Sequence, residues 1–418
     1  MLLEAFELCC VVRGERMKPP YVIPTMQEIA KKQNTNGYTM VSTFSGCGGS
    51  CLGFEMAGYK VVWANEFVVA ARDTYVMNHP GVFLDPRDVR EVQGSDILAV
   101  TGLGVGDIDV LEGSPPCSSF STAGTRTKSW GQVKKYSDTE QRSDDLFLQY
   151  SRLVGELQPK VIVAENVSGL VKGKALGYFK EILQDLKSNG YTVEAQLLDA
   201  SWLGVPQARE RLIFLGVRND LVTKYGMTPT YPQPLTYRYS VADVLTDIVK
   251  VKYGGKPHNY RRPNKPSPTV MASDGVTSPT AYFSSGGFVE TKDEITHDPE
   301  TGKKIAIGEY AIGPEWERMV PGEASLKYFT LVKSHIDKPA QTITAQGGNV
   351  GAASITHPTQ RRKFTLQELR LLSSFPADFE LTGTFEQRWE RIGRSVPPIM
   401  AQALATSIAE NMLDKMKG

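Results

Sequence analysis

The chain has 418 residues, 41% hydrophobic and 22% charged, with a formal net charge of +1 at pH 7. That length is enough for two or three domains and a sizeable core, and the near-zero charge means that any basic, nucleic-acid-binding surface must be local. Five cysteines without disulfide-like spacing fit reduced thiols in a cytoplasmic protein, Cys47 and Cys51 lack the second pair a metal site needs, no apolar run reaches membrane-span length, and the opening stretch carries Glu4 and Glu7 where a secretory leader would be basic.

Residues 1–37 read as an N-terminal extension, with a short helix capped by Thr25 and Glu28 and a turn at Asn34–Gly37. A strand is predicted over Thr39–Phe44, then a glycine-rich turn FSGCGGS (Phe44–Ser50), a helix to about Ala57, and a second strand over Lys60–Ala64 that leads to Glu66. Strand, glycine turn, helix, strand and acid, with Glu66 twenty positions after Gly46, is the layout of a nucleotide-binding βαβ unit. The spacing G-x-G-G is not the dinucleotide fingerprint and lacks the P-loop lysine, so an adenosyl ligand without phosphate fits better. A helix over Val68–Asn78 and a strand over Val82–Leu84 follow, and Asp88 then stands where a third strand would end. It is placed to accept from an adenine amino group, or to close a turn.

The stretch Asp109–Ser121, DVLEGSPPCSSFS, delivers Cys117 on a turn stiffened by Pro115 and Pro116. A cysteine held this way is a candidate nucleophile, with a buried structural thiol as the alternative. The polar loop 123–142 mixes Arg126, Lys128, Lys134, Lys135 and Arg142 with Trp130 and Tyr136, as a lid or nucleic-acid-binding loop would. A helix is predicted from Ser143, its apolar face marked by Leu146, Phe147, Tyr150, Leu153, Val154 and Leu157. The apolar strand Val161–Ala164 ends in Glu165, an acid at the ligand-binding edge of a parallel sheet. A helix over Leu176–Ser188 and strands over Val193–Leu198 and Leu212–Val217 come next. Between those strands GVPQARER alternates Gln207, Arg209 and Arg211, which would put both guanidinium groups on one face of an extended segment.

From 219 to about 336 the character changes. Proline and glycine are frequent, and Lys224–Lys265 holds eight basic residues against two acids, including the piece YGGKPHNYRRPNK. This reads as a separate loop-rich module that touches something anionic. NKPSPTVMA (264–272) and DKPAQTITA (337–345) echo each other as two strand-leading turns. Regular structure returns with a Thr365/Glu368 capping box, a helix stopped by Pro376, the segment RIGRSVPP (391–398) and a final helix from Ile399 to about Met416.

In order and spacing these stretches resemble the C5-cytosine DNA methyltransferase family from Thr39 to Ile408. FSGCGG resembles its first motif, Glu66 and Asp88 its second and third, SPPCSSFS the Pro-Cys motif, AENV the Glu-Asn-Val motif and QARER the Gln-x-Arg-x-Arg motif. RKFTLQELRLLSSFP and RIGRSVPP resemble the ninth and tenth. The chain departs from the pattern at Ser118, where the family usually has Gln, and at Arg394, where it usually has Asn.

The resemblance implies an α/β protein: a Rossmann-like S-adenosylmethionine-dependent methyltransferase sheet with helices on both faces, plus a smaller target-recognition domain. The expected division is an extension (1–37), a catalytic and cofactor-binding domain (38–218), a target-recognition domain (219–336) and a C-terminal part that returns to the catalytic domain (337–418). It implies methyl transfer from S-adenosyl-L-methionine to C5 of a cytosine flipped out of duplex DNA. Cys117 would attack C6, Glu165 would protonate N3, and Arg209 and Arg211 would hold the base and favour the thiolate. Phe44, Ser45, Gly46, Cys47, Gly48, Gly49, Glu66, Phe67, Asp88, Val89, Ser114, Pro116, Leu146, Arg394, Ser395 and Val396 would form the cofactor site, and no metal is expected. Arg394 beside a sulfonium suggests two outcomes. It turns outward to a carboxylate or a phosphate, or the cofactor is carboxy-S-adenosyl-L-methionine and the product carboxymethylated. RNA as substrate and a catalytically dead DNA-binding module are the remaining alternatives. A cytoplasmic monomer on double-stranded DNA, with a companion restriction endonuclease, completes the expectation.

Overall fold

The computed structural model describes residues 18–116, 145–245 and 295–417, together with the backbone of 133–136 and 139–142. The strands in chain order are β1 (Thr39–Thr43), β2 (Lys60–Asn65), β3 (Phe83–Asp85), β4 (Val110–Gly113), β5 (Val133–Tyr136), β6 (Thr139–Arg142), β7 (Val161–Val167), β8 (Tyr191–Asp199), β9 (Gln207–Ala208) and β10 (Glu210–Arg218). Seven of them build one sheet in the order β3-β2-β1-β4-β7-β10-β8. Neighbours from β3 to β7 are parallel, and β10 runs antiparallel to both β7 and β8. Chain order reverses between β1 and β4, the kind of switch point beside which open α/β sheets bind ligands at the carboxyl ends of their strands.

Helices α1 (Met26–Lys32), α2 (Gly49–Met56), α3 (Val69–Asn78), α4 (Gly94–Thr101), α5 (Leu146–Leu157) and α6 (Leu176–Ser188) are followed by α7 (Asn219–Tyr225), α8 (Val241–Val244) and α9 (Gly313–Arg318), and the chain closes with α10 (Leu366–Leu372), α11 (Phe385–Arg394) and α12 (Pro398–Asn411). Successive strand residues face opposite sides, and the sheet is covered accordingly. Met40, Val110 and Val163 point into a core with α2, α3 and α12, whereas Val41, Leu111 and Ile162 point into another with α4, α5 and α6. α12 reaches α2 closely because α2 presents glycines: a Cβ on Gly53 would overlap Ala401 and the Pro398 carbonyl.

A further core joins Ile305, Trp316 and Leu331 to Ile343, Phe364, Leu369 and Trp389, and takes in Ile29 of α1 and Val241 of α8. It draws side chains from both sides of the expected boundary at 336/337. Ala340–Gln341 also pairs with β9, which ties this part to the main sheet. Residues 246–294, with the YGGKPHNYRRPNK piece and the first copy of the echo, lie outside the described residues.

Five helices went unread in the sequence: α4 and α11, and, in the stretch read as loop-rich, α7, α8 and α9. α4 is short, and its apolar residues Ile97–Val100 form one run that sets no helical period. α11 is rich in charge, with Phe385, Trp389 and Ile392 the large apolar side chains of a buried side that also takes in Arg391 and Gly393. The polar loop 123–142 also contains structure: β5 and β6 pair antiparallel, Val133 opposite Arg142. Their residues, VKKY and TEQR, carry no apolar alternation that would announce a strand.

Candidate active site

The cofactor half of the site is set by the turn after β1. Phe44 has φ 54°, Gly46 58° and Gly48 91°. Phe44 is held there against the usual preference of a side chain, the kind of strain that clusters at binding sites. A Cβ on Gly46 would meet nothing within 4 Å, so the loop borders open space. Glu66 stands just past β2; its Oε2 accepts the Gly46 N–H and its Oε1 the Val68 N–H, both at 2.7 Å. Burial raises its pKa above the ordinary value, and those two hydrogen bonds work against that rise. Each carboxylate oxygen retains a lone pair for a ligand hydroxyl. After β3, Asp88 accepts the Arg90 N–H at 3.0 Å and pairs with its guanidinium at 2.9 Å; Arg90 also reaches Asp145, at the start of α5. Phe44, Glu66 and Asp88 thus follow three adjacent parallel strands at one edge of the sheet. This polar, glycine-lined edge without a lysine fits an adenosyl ligand.

Other predicted contacts fall into two groups. Ser45 is nearly buried, its hydroxyl donating to Ser42 Oγ at 2.9 Å, and Gly49 lies directly against Ser395 and the Val396 carbonyl. Cys47, Val89 and Leu146 are buried: the Cys47 thiol, its pKa raised by burial, turns towards the Arg391 carbonyl at 3.7 Å, while Val89 and Leu146 pack in the core. Phe67 is half-buried.

The second half of the site starts where β4 ends. Gly113 lacks a Cβ that would strike the Tyr150 ring. The Ser114 N–H then reaches the Thr43 carbonyl at 3.4 Å, and Asn166 Nδ2 donates to the Pro115 carbonyl at 3.2 Å, so the turn is tied to β1 and β7. Pro116 is the last described residue of this segment. Cys117 and most of the loop 123–142 lie outside the described residues.

On β7, Glu165 Oε1 lies 2.6 Å from Arg211 Nε, an ion pair rather than an aligned hydrogen bond, with both side chains largely buried. Arg211 Nη1 also donates to the Glu210 carbonyl. Arg209 takes other partners. Its guanidinium is buried and donates to the carbonyls of Ile343 (3.2 Å), Gly393 (3.0 Å) and Arg394 (3.3 Å), fastening the C-terminal part to the sheet. Burial, with Arg211 nearby, lowers its pKa well below the ordinary arginine value. The expected alternation is broken because Arg209 sits between β9 and β10 and not inside one strand. Arg394 is half-exposed, its Nε 2.7 Å from Glu390 Oε1 one helical turn back.

Three residues near the site escaped the sequence reading. Asn166 was noted only as the companion of Glu165. Arg391 is buried, with Nη2 on Glu390 at 3.0 Å. Glu112 is an acid inside the apolar strand β4, an anomaly visible in VLEG. It is buried, accepts from Ser42 Oγ at 2.8 Å, and burial pushes its pKa up to about 7, with the Glu165 charge adding to the rise and Ser42 and Ser50 opposing it.

The family model for C-5 cytosine-specific DNA methylases matches residues 38–410. The chain belongs to that family. The type II methyltransferase M.XorII of Xanthomonas oryzae pv. oryzae is 30% identical over 90% of this chain and 85% of its own length. M.Eco47II of Escherichia coli, also a type II methyltransferase, is 30% identical over 92% of this chain and 82% of its own. Among solved structures, a chain assigned as a DNA modification methyltransferase encoded within an Escherichia coli prophage superposes with a TM-score of 0.62 at 22% identity, covering 90% of this chain and 99% of that one. Spodoptera frugiperda DNMT2 superposes with a TM-score of 0.55 at 16% identity, covering 87% and 97%. These likenesses agree with the S-adenosylmethionine-dependent methyltransferase fold. This C-5 cytosine methyltransferase is therefore an enzyme of DNA methylation, and S-adenosyl-L-methionine is the cofactor its family implies. Among the described residues no helix is long and apolar enough to cross a membrane, and no cluster of three or more His, Cys, Asp or Glu could hold a metal ion.

Proposed function

We propose that this enzyme flips a cytosine out of duplex DNA and methylates C5 through a covalent adduct on Cys117, as a type II modification enzyme. The observation that carries the reading is the meeting, beside the Pro115–Pro116 turn, of Glu165 and Arg211 at 2.6 Å. An acid and a cation there are placed to handle a flipped base as the next residue, Cys117, attacks it.

C5 of cytosine is a weak nucleophile, so the ring must first be activated. The Cys117 thiolate adds to C6 while Glu165 delivers a proton to N3, leaving an enamine-like C5. Arg211 neutralises the Glu165 carboxylate once that proton has left. Arg209, in our reading, acts through position, holding residues 393–394 and with them the Ser395–Val396 wall. S-adenosyl-L-methionine supplies an electrophilic methyl group when bound. Glu66 would hold its ribose, Asp88 and Val89 the adenine edge, Phe44 the adenine face, and the Ser45–Gly49 backbone the methionine end. Loss of the C5 proton to solvent, release of the thiolate and return of the N3 proton to Glu165 regenerate the enzyme. The pairing of Arg394 with Glu390 favours methyl over carboxymethyl transfer, because the guanidinium already has a carboxylate. The basic 123–142 loop would close over DNA, and residues 219–336 would read the target bases in the major groove. A cytoplasmic monomer with a companion endonuclease of matching specificity fits the type II relatives.

Mass spectrometry of nucleosides from DNA of cells producing the enzyme should show 5-methylcytosine, and Cys117→Ser should abolish it while cofactor binding persists. DNA containing 5-fluorocytosine should trap the wild type in a denaturant-resistant adduct, since fluorine cannot leave as a proton. An active wild type that never forms this adduct rules the covalent route out.

A further inference from the structure

We infer that Arg391 is a further cofactor-binding residue, whose guanidinium receives the methionine carboxylate of S-adenosyl-L-methionine beside the glycine turn. The inference rests on the cofactor reading given above and assigns the one anionic group of that ligand to a side chain.

Arg391 lies in the last turn of α11, and its side chain is almost wholly buried. A guanidinium carries five N–H donors and stays charged, so burying one is costly unless its donors find acceptors. Nη2 has the Glu390 carboxylate at 3.0 Å, and the other oxygen of that carboxylate holds Arg394 Nε at 2.7 Å. Nη1 is buried as well and has no hydrogen-bond partner among the described residues. A buried cationic donor left open in this way calls for an acceptor that the protein itself does not supply.

The surroundings say which acceptor. The Arg391 carbonyl faces the Cys47 thiol at 3.7 Å and also accepts the Ser395 N–H at 3.2 Å. Gly49 in turn lies directly against Ser395 and the Val396 carbonyl. Arg391 is thus fixed where the glycine turn meets the C-terminal wall of the cofactor site. Its charge opposes the burial-driven rise in pKa of both Cys47 and Glu66, so it is felt on the turn and at the acid that follows β2. Helix α2 starts on the same turn, and its N-cap Gly48 has no side chain to accept the first N–H groups. Open backbone donors and an open guanidinium donor at one turn suit a carboxylate. The adenosine portion of the ligand is uncharged and its sulfonium is a cation, so the carboxylate is the group that gains from Arg391. Glu390 holds the guanidinium in place before the ligand arrives.

The test is calorimetry on the full-length enzyme with two ligands that differ only in the carboxylate: S-adenosyl-L-homocysteine and its decarboxylated analogue, S-adenosyl-3-thiopropylamine. The wild type should bind the first about tenfold to a hundredfold more tightly, the worth of a charge-assisted hydrogen bond. Arg391→Met should weaken S-adenosyl-L-homocysteine about tenfold or more and leave the decarboxylated analogue within about twofold. Arg391→Gln, which keeps a neutral polar side chain in case Arg391→Met folds poorly, should lose the same ligand selectively, and Arg391→Lys, which keeps a cation, should recover part of the preference. Equal weakening of both ligands by Arg391→Gln would make the residue structural and overturn the assignment, as would a wild type that binds the two ligands alike. A wild type that binds neither removes the cofactor reading itself, and the assignment with it.

Discussion

Asn166→Ala is the substitution that most directly tests how Cys117, the proposed nucleophile, is positioned. Asn166 is buried at the end of β7, donating Nδ2 to the Pro115 carbonyl at 3.2 Å and accepting the Val167 N–H through Oδ1 at 2.9 Å. Pro115 and Pro116 bring no N–H of their own, so the turn has few other ties; the described ones are the Ser114 N–H to Thr43, the Ser114 hydroxyl to Glu112 Oε1 at 3.4 Å and this bond. Removing the amide leaves the buried Pro115 carbonyl unsatisfied, which costs about 1–3 kcal/mol, and the length of the bond places the loss towards the lower end. Fold stability should therefore fall by about 1 kcal/mol. The kinetic effect should be larger, because Cys117 is two residues from the freed carbonyl, and a displacement of about 1 Å in a reacting group costs on the order of a hundredfold in rate. Rapid-quench measurement of adduct formation on 5-fluorocytosine DNA should show a loss of about 30- to 100-fold. The cofactor dissociation constant, measured by calorimetry, should stay near wild type, because Asn166 touches neither Glu66 nor the glycine turn. Asn166→Asp should do no better, since it sets a carboxylate oxygen against the Pro115 carbonyl. Wild-type adduct rates in Asn166→Ala would refute the idea that this bond aims Cys117.

Glu66→Gln should weaken cofactor binding by about 1.5–3 kcal/mol, because one of the two N–H donors at 2.7 Å would face an amide NH2, while DNA affinity measured without cofactor should hold; equal losses in both would make Glu66 purely structural. Lys363 gives a pH prediction. It is fully buried, donates to the Ala352 carbonyl at 2.7 Å, and desolvation lowers its pKa to about 7, below the value of an unfolded lysine near 10.5. The unfolded chain therefore binds more protons between those values, and stability should climb with pH by up to about 1 kcal/mol per unit in that window. Lys363→Met should flatten the climb in urea melts, and an unchanged slope would show that the lysine is buried charged.

Legibility in the sequence followed the range of the forces involved. The βαβ opening could be read because its signals are local: an apolar run, glycines where φ must be positive, and an acid at the next strand end. The edges of α2, α3 and α6 fell within about two residues of their predicted places, since capping and periodicity are also local. Arg209 could not be placed, because its carbonyl partners at Ile343 and Arg394 lie 134 and 185 positions away and only the fold brings them near. Glu112 escaped the reading although an acid inside VLEG stands out, because the groups around it are brought there by the pairing of β4 with β1 and β7. α11 was missed because its buried side is held by a core assembled from distant segments.

The position of α12 has a consequence for how the enzyme comes into being. Tyr59 donates to the Ala405 carbonyl at 3.0 Å and Tyr38 to Asp414 at 2.6 Å, contacts spanning 346 and 376 residues. Ser395 and Val396 close against Gly49 from that same end of the chain. A nascent chain emerging N-terminus first can form β1, α2 and β2 early, but the groove on the glycine face of α2 stays open until residues 395–411 have been made and α12 docks there. Such long closures slow folding and prolong the exposure of apolar surface. The cofactor pocket is thus completed only when α12, made about 350 residues after the glycine turn, docks against α2.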